Sequence, residues 1–119
     1  MTATDRALTL ARAAAQAASD KQGTDIVAFD VSEHLVITDV FVIASASNAP
    51  QMSAIQDAVE EALHRHDAKP LRREGGRDGG WILLDYADIV VHIQHTEERA
   101  FYALERLWSD CPTVDLQLS

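Results

Sequence analysis

The sequence lacks a cysteine pair and a long apolar run. Cys111 is the single cysteine, so an internal disulfide is excluded, and we interpret this residue as a small apolar side chain because no nucleophile motif surrounds it. No stretch of about 18 apolar residues is present, and Thr4, Asp5 and Arg6 interrupt the N-terminus where a leader peptide would be apolar. We therefore expect a soluble cytoplasmic protein with no membrane partner.

Positive charge is scarce and unevenly distributed along the chain. The net charge is −9, and residues 22–64 hold seven acidic residues but no Lys or Arg. Half of the ten Lys and Arg residues lie in what we call the basic segment: Arg65, Lys69, Arg72, Arg73 and Arg77. No aromatic residue lies among them to stack on a base, so we interpret the segment as a solvated loop and edge strand rather than an RNA site. We expect no direct sequence-specific contact with nucleic acid, because the acidic surface would repel phosphates.

The chain length and the periodicity of its apolar residues predict one α/β domain spanning residues 1–119. The predicted order is α-β-β-α-β-β-β-α, a two-layer or three-layer sandwich with a mixed sheet flanked by helices. The predicted helices begin at Thr4, at Ser47 or Asn48, and at Thr96, and the predicted strands are 25–30, 38–44, 71–74, 81–84 and 89–93. The last helix should run to Pro112 with an apolar stripe of Ala100, Phe101, Leu104, Leu107 and Trp108. Residues 113–119 form either a short edge strand or a loose end.

Residues 79–93, which read GGWILLDYADIVVHI, predict a β-hairpin around which the chain is organised. Its second arm alternates from Ile89 to Ile93, so we expect one apolar face and one mixed face that includes His92. Its first arm has no polar face, because Trp81 and Leu83 point one way and the apolar residues beside them point the other. Such a strand is either buried on both sides or has one side reserved for a partner.

Motifs on both sides of the hairpin match one known family in colinear order. They are Asp39-Val-Phe-Val-Ile-Ala44-Ser45, Trp81-Ile-Leu-Leu-Asp85-Tyr86, Asp88-Ile-Val-Val-His92, Glu98-Arg99 and Leu104-Glu105-Arg106-Leu107-Trp108. From Ala3 to Val114 the chain resembles the ribosomal silencing factor family, also called the Iojap family. Ala46 and Ala87 depart from it, since the family usually has Gly at both positions. Ala87 would be strained if its turn requires a positive φ.

The resemblance implies a fold, a function and a contact surface. It implies a nucleotidyltransferase-like arrangement of about five strands. It also implies binding to the fourteenth protein of the large ribosomal subunit, at the surface that meets the small subunit, so that subunit joining is blocked and translation is repressed without a cofactor. Carried over residue by residue, the partner-binding group is Trp81, Leu83, Leu84, Asp85, Tyr86 and Asp88. Which strand face makes the contact stays open, and Trp81 and Tyr86 are either interface anchors or core residues.

An enzyme of nucleotidyltransferase type is the alternative function. Such an enzyme needs paired carboxylates that hold a divalent metal, and a loop of small residues that holds phosphate. Residues 45–47 at a helix N-terminus suit an anion. No Asp-x-Asp occurs, however, and Asp85 and Asp88 straddle a turn, so their side chains need not converge. We therefore predict no catalytic residue and a protein that is not an enzyme.

The histidines and the apolar first arm lead to two further expectations. His92 and His95 point to different sides of a strand and its exit, so neither belongs to a metal site, and we interpret each as solvent-facing or locally hydrogen-bonded. A patch containing Trp81, Leu83 or Leu84 is unfavourable in water, which predicts a homodimer of the free protein. Nearby acidic residues oppose that dimer, so it should be weak.

Overall fold

The computed structural model of the chain describes residues 2–119, with the backbone alone described at residues 101 and 102. Its elements are α1 (Asp5–Asp20), β1 (Thr24–Asp30), β2 (Val40–Ala46), α2 (Ala49–His64), β3 (Arg72–Gly76), a 3₁₀ turn (Arg77–Gly79), β4 (Trp81–Asp85), β5 (Ile89–His95), α3 (Thr96–Tyr102) and α4 (Leu104–Leu107). The predicted order is confirmed, except that the last helix is broken in two. No helix in the described part of the chain is long and apolar enough to cross a membrane.

The five strands form one mixed sheet in the order β1-β2-β5-β4-β3. β2 and β5 are parallel, with Val40 opposite Ile89, and every other neighbouring pair is antiparallel. β5 is therefore the central strand, although it is the last strand in sequence. The predicted mixed sheet flanked by helices is confirmed, and the predicted hairpin is the β4–β5 pair.

Helices α1 and α2 pack together against one side of the sheet, which we call the helix face. Both begin at predicted caps: the Thr4 hydroxyl accepts the amide N–H of Ala7 at 3.1 Å, and the Asn48 side chain accepts that of Gln51 at 2.8 Å. The alanines of α1 are buried, so the helices approach closely, and each large aliphatic side chain buried here contributes about 1.5–3 kcal/mol. The fully buried members from α2 are Met52, Ile55, Val59 and Leu63.

The opposite side of β1 and β2 is covered by the C-terminal part of the chain. Phe29, Ile43 and Cys111 are buried there, and Leu104 and Trp108 pack against them. The thiol thus lies in an apolar cluster, as the interpretation of Cys111 as a small apolar residue requires. Beyond this cluster, a single bridge joins Phe29 to Thr113, so residues 113–119 do not form a strand.

The predicted single C-terminal helix is wrong, and its predicted apolar stripe holds for Leu104 and Trp108 but not for Ala100 and Leu107. Ala103 has φ +47°, a left-handed conformation that ends α3 and turns α4 away from it. Ala100 is therefore exposed and Leu107 is 72% exposed, while the side chain of Phe101 lies outside the described residues. Arg99 is buried instead, because its guanidinium donates to the Ser45 hydroxyl at 2.9 Å and to the carbonyl oxygen of Asp25. This arginine fastens α3 to both β1 and β2.

Candidate partner-binding surface

The two faces of strand β4 differ sharply in burial. Ile82 and Leu84 point into the core on the helix face and are almost fully buried. Trp81, Leu83 and Asp85 point the other way and are only partly buried. The sequence predicted that this strand is either buried on both sides or accessible on one. The structure shows that one side of β4 is accessible. We call that side of β4, with the strand β3 beside it, the open face.

The open face carries both apolar and acidic side chains. On β3, Glu74 lies opposite Leu83 and Arg72 lies opposite Asp85. Trp81, Leu83 and Glu74 line an open depression of about 400 Å³ together with Gly75 of β3 and Gly79 of the 3₁₀ turn. A tryptophan beside a leucine, edged by carboxylates, is the composition of a protein contact rather than of a phosphate site.

The predicted partner-binding residues divide between the two faces. Leu84 is fully buried and Tyr86 is 6% exposed, and both belong to the core under α1 and α2. Burial raises the pKa of the Tyr86 hydroxyl to about 12, and the nearby Glu60 carboxylate adds to the shift. Side chains five positions apart along an extended strand point to opposite faces, so Trp81 and Tyr86 cannot share one surface. In the free chain Tyr86 is therefore a core residue.

Asp85 and Asp88 shape the turn between β4 and β5. A carboxylate oxygen of Asp85 accepts the backbone N–H of Ala87 at 2.9 Å, and the second oxygen lies 3.5 Å from the guanidinium of Arg72. Ala87 has φ +69°, so the positive φ that the sequence raised for this turn is present. The carbonyl oxygen of Asp88 accepts the N–H of Asp39, which ties the turn to the start of β2. Both carboxylates are partly buried at the rim of the sheet.

A row of rings runs across the sheet from the open face. The indole N–H of Trp81 donates to Nδ1 of His92 at 3.1 Å. His92 packs edge-on against Phe41, and Phe41 packs edge-on against Trp108, with ring centroids 5.3 and 5.1 Å apart. Burial lowers the pKa of His92 to about 4, so the imidazole is neutral near pH 7. Of the two environments predicted for this histidine, the local hydrogen bond is the one observed.

The expected mixed face of β5 is buried, which the alternation of residues did not predict. His92 is 5% exposed and Gln94 is fully buried, and neither of the two side-chain atoms of the Gln94 amide has a hydrogen-bond partner among the described residues. The cause is the rings that the neighbouring strands place beside His92, Trp81 on β4 and Phe41 on β2. The apolar character of Val90, on the same face as His92 and Gln94, was the available signal, since a half-exposed strand would carry a polar residue there.

Each arginine of the basic segment lies near a carboxylate of the same chain. Arg73 makes the closest pair, with a guanidinium nitrogen 2.6 Å from the Glu60 carboxylate, and this hydrogen bond lowers the pKa of Glu60. The other pairs are Arg65 with Glu61, Arg72 with Glu74 and Asp85, and Arg77 with Asp78. β3 is an edge strand, as predicted for this segment. Its positive charge is thus largely offset within the chain, at a gain of less than about 1 kcal/mol for each exposed pair.

The groups that nucleotidyl transfer would need are already engaged inside the chain. The backbone N–H and hydroxyl of Ser47 both donate to the side-chain oxygen of Gln51, at 2.7 and 2.9 Å. Ser45 is buried against Arg99. Across residues 2–119, no group of three or more His, Cys, Asp or Glu side chains converges on a point where a metal ion could be held.

Similarity to known proteins agrees with this geometry. The family described as "Ribosomal silencing factor during starvation" matches residues 4–119. A ribosomal silencing factor of Halalkalibacterium halodurans is 35% identical over 91% of this chain and 92% of its own length. That of Bacillus subtilis is 35% identical over 87% of both chains. The chloroplastic Iojap protein of Zea mays is 31% identical over 92% of this chain and 47% of its own length.

Two crystal structures share the fold. A protein of Chromobacterium violaceum superposes with a TM-score of 0.80 at 28% identity, covering 85% of this chain and 84% of that one. A protein of Bacillus halodurans superposes with a TM-score of 0.77 at 33% identity, covering 90% and 97%.

Proposed function

The chain belongs to the ribosomal silencing factor family, and from that premise we propose that it binds the large ribosomal subunit and blocks its association with the small subunit. Its contact on the ribosome is the fourteenth protein of the large subunit, at the surface that faces the small subunit. The result is repression of translation in the cytoplasm, where the ribosomes are. The curated relatives carry the name ribosomal silencing factor, which supports a role in silencing ribosomes.

The open face supports this proposal most directly. Trp81 and Leu83 remain partly exposed on β4, whereas Ile82 and Leu84 on the same strand are buried. A tryptophan that presents its ring on a rigid strand is the residue type that most often dominates a protein contact. Asp85 and Asp88 at the rim supply charges for a basic partner. Leu84 and Tyr86 contribute indirectly, because they anchor β4 to the helix face.

The charge distribution favours a basic ribosomal protein over bare RNA. The net charge of −9 steers the domain toward a positive surface and away from phosphates. The arginines that could oppose this effect are paired with carboxylates of the same chain. The acidic rim of the open face therefore acts in the same direction as the charge of the whole domain.

The block is steric. A domain of 13.1 kDa at a contact between subunits prevents their docking without any chemical step. What it requires is a residence time longer than the interval between encounters with the small subunit. No cofactor or nucleotide enters this mechanism.

Sedimentation with purified ribosomal subunits tests the contact. The tagged protein should sediment with isolated large subunits but not with small subunits or intact ribosomes. Trp81→Ala should weaken the complex by about 2 kcal/mol, roughly thirtyfold in affinity. Leu83→Ala should weaken it too, whereas Leu107→Ala, a matched change at an exposed leucine in α4, should have no effect. A folded Trp81→Ala variant with unchanged affinity would show that the open face is not the contact.

A joining assay separates this function from the nucleotidyltransferase alternative. Inhibition of subunit joining should be stoichiometric and should need no nucleoside triphosphate beyond what the ribosome itself requires. Catalytic inhibition, or a requirement for an added nucleotide, would contradict the steric mechanism.

The free protein is also proposed to form a weak homodimer through the open face. Trp81 and Leu83 would be covered by a second copy, which competes with the ribosome for the same surface. The acidic rim residues keep this dimer weak, since like charges meet across it. Sedimentation over a concentration series should show dimers in free protein and monomers on large subunits. A dimer that binds the large subunit intact would show that the two surfaces are separate.

A further inference from the structure

The orientation of Trp81 on the open face depends on a residue that is itself hidden. His92, on the neighbouring strand β5, accepts the indole N–H at 3.1 Å, and the two ring centroids lie 5.9 Å apart. Only 5% of His92 is exposed. A binding partner would thus touch the indole but not the imidazole that holds it.

His92 is fixed from its other side. Phe41 of β2 presents its ring to the imidazole at an interplanar angle of 65°, and Trp108 in turn meets Phe41 at 81°. β5 is hydrogen-bonded on both edges, so its backbone does not move independently of the sheet. The acceptor Nδ1 is therefore held at a fixed position beside Trp81.

Stability alone does not account for a histidine at this position. Because Nδ1 accepts a hydrogen bond, the neutral imidazole carries its proton on Nε2. Nε2 is buried and has no hydrogen-bond partner among the described residues. An unpaired buried N–H is unfavourable, and an aromatic or aliphatic side chain of similar size would avoid it. The other nitrogen, Nδ1, offsets this cost by accepting a hydrogen bond from the indole N–H of Trp81.

We propose that His92 is a positioning residue for the partner contact: it fixes the indole of Trp81 in one orientation on the open face, so that binding does not have to order this side chain. This inference rests on the proposed function of the open face. A large side chain that is already immobilised in the free protein loses less conformational entropy on binding. His92 would therefore raise the affinity for the partner although it does not touch the partner.

The free protein provides a test that needs no ribosome. His92→Phe keeps a ring of similar shape and removes the acceptor. In the NMR spectrum of this variant the indole N–H resonance of Trp81 should shift and exchange faster with water, while the backbone N–H of Val59, buried in α2 on the helix face, stays protected and serves as the internal control. His92→Asn, whose side-chain oxygen stands near the position of Nδ1, should restore part of the protection. An unchanged Trp81 resonance in His92→Phe would overturn the inference and leave the proposed function intact.

Binding to large subunits provides the second test. His92→Phe should weaken the complex about fivefold, in the range expected for ordering one large side chain, and His92→Asn should recover part of the loss. In a Trp81→Phe background, which lacks the indole N–H, His92→Phe should cause no further loss. A purely structural role for His92 would instead lower affinity equally in both backgrounds, and that additive result would overturn the inference.

Two further controls keep these outcomes distinct. His92→Leu is a second variant without an acceptor, and it should behave like His92→Phe, because both lack the acceptor but only one carries a phenyl ring that could disturb the core. If Trp81→Ala binds large subunits normally, the proposed function fails together with this inference, whereas normal binding by His92→Phe alone removes only the inference.

Discussion

The two faces of the sheet are built for different purposes. The helix face is closed by α1 and α2 and holds aliphatic side chains that are nearly all inaccessible to solvent. The open face holds Trp81 and Leu83 in partial contact with solvent, backed by the buried polar groups of His92 and Gln94. Because β4 contributes alternate residues to both, neighbouring positions on one strand belong to the core and to the open face, and under the proposed function they serve stability and binding separately. It follows that the two properties can be changed one at a time.

The largest expected difference between the faces comes from adjacent leucines. Leu84→Ala removes a fully buried side chain from the helix face and should lower the free energy of unfolding by about 2–5 kcal/mol. Leu83→Ala removes the same atoms from the open face and should cost less than about 1 kcal/mol. Urea denaturation of both variants measures the difference.

The same leucine pair should show the opposite order in binding. A folded Leu84→Ala variant should retain its affinity for large subunits, whereas Leu83→Ala should lose affinity. Equal losses of stability in the two variants would mean that the open face is covered in solution, and the contrast between the faces would not hold.

Acidification should destabilise the fold through His92, which lies behind the open face. The pKa of His92 is lowered by burial from 6.5 to about 4. Between these two pH values the unfolded chain binds a proton that the folded chain does not, so stability is complete above pH 6.5 and falls as the pH drops toward 4. The loss from this residue should be of order 3 kcal/mol. Denaturation midpoints measured from pH 7.5 to 4 should follow this trend.

His92→Phe is the control for this pH dependence. It removes this titrating group and should abolish the part of the pH dependence that His92 contributes over that interval. The contribution of the carboxylates with lowered pKa values belongs to lower pH. Asp30 and Glu60, for example, have pKa values lowered from their ordinary values in the folded chain. A His92→Phe profile identical to that of the original protein would show that His92 does not titrate in this way.

A smaller effect is expected from the hydroxyl of Tyr86 on the helix face. The hydroxyl oxygen is buried with no hydrogen-bond partner among the described residues. Tyr86→Phe should therefore leave the free energy of unfolding unchanged or raise it by up to about 1 kcal/mol. Affinity for large subunits should not change, since the phenol ring faces the core. A marked loss of affinity in Tyr86→Phe would indicate that this hydroxyl contacts the partner after all.

The smallest expected effect lies at the turn that joins the two arms of the hairpin. Ala87 adopts φ +69°, which is unfavourable for a residue with a Cβ atom. Ala87→Gly should relieve that strain and stabilise the fold by roughly 0.5 kcal/mol after the entropy cost of glycine. Ala58→Gly in the middle of α2 is the matched control and should destabilise by about 1 kcal/mol. The two substitutions should thus shift the thermal midpoint in opposite directions.

Local signals in the sequence were sufficient for most of the elements. Thr4 and Asn48 cap their helices as predicted, and each strand lies within two residues of its predicted position. These features depend on residues close together in the chain. The burial of the mixed face of β5 does not, because it results from the rings of Trp81 and Phe41, which pack on His92 from strands β4 and β2. Periodicity therefore indicated the strand but not its place in the sheet.

The break at Ala103 was also beyond local prediction. Alanine favours a helix, and nothing in the neighbouring residues indicates a left-handed conformation. The break allows Arg99 to remain bonded to β1 and β2 while Trp108 reaches the ring of Phe41. These tertiary contacts override the local helix preference.

The candidate site was predictable in part. Alternation showed that Trp81 and Leu83 share one side of β4, and the family resemblance named the strand. Which side the helices cover depends on the packing of α1 and α2, which no pattern within β4 reports. For that reason Leu84 and Tyr86 were grouped with residues whose side chains lie on the opposite face.

The central position of the last strand also governs how a newly made chain acquires its shape. β2 is translated early, but its parallel partner β5 follows only after α2, β3 and β4 have been made. Until then the edge of β2 that pairs with β5 is unpaired. The apolar faces of α1 and α2 cannot pack on the complete sheet, because β5 is missing from its centre. Such long-range pairing slows folding, because the loop between the two strands must close before their contacts form. A nascent chain therefore has no open face to offer, and the protein gains the ability to act on other ribosomes only after its own synthesis has passed β5.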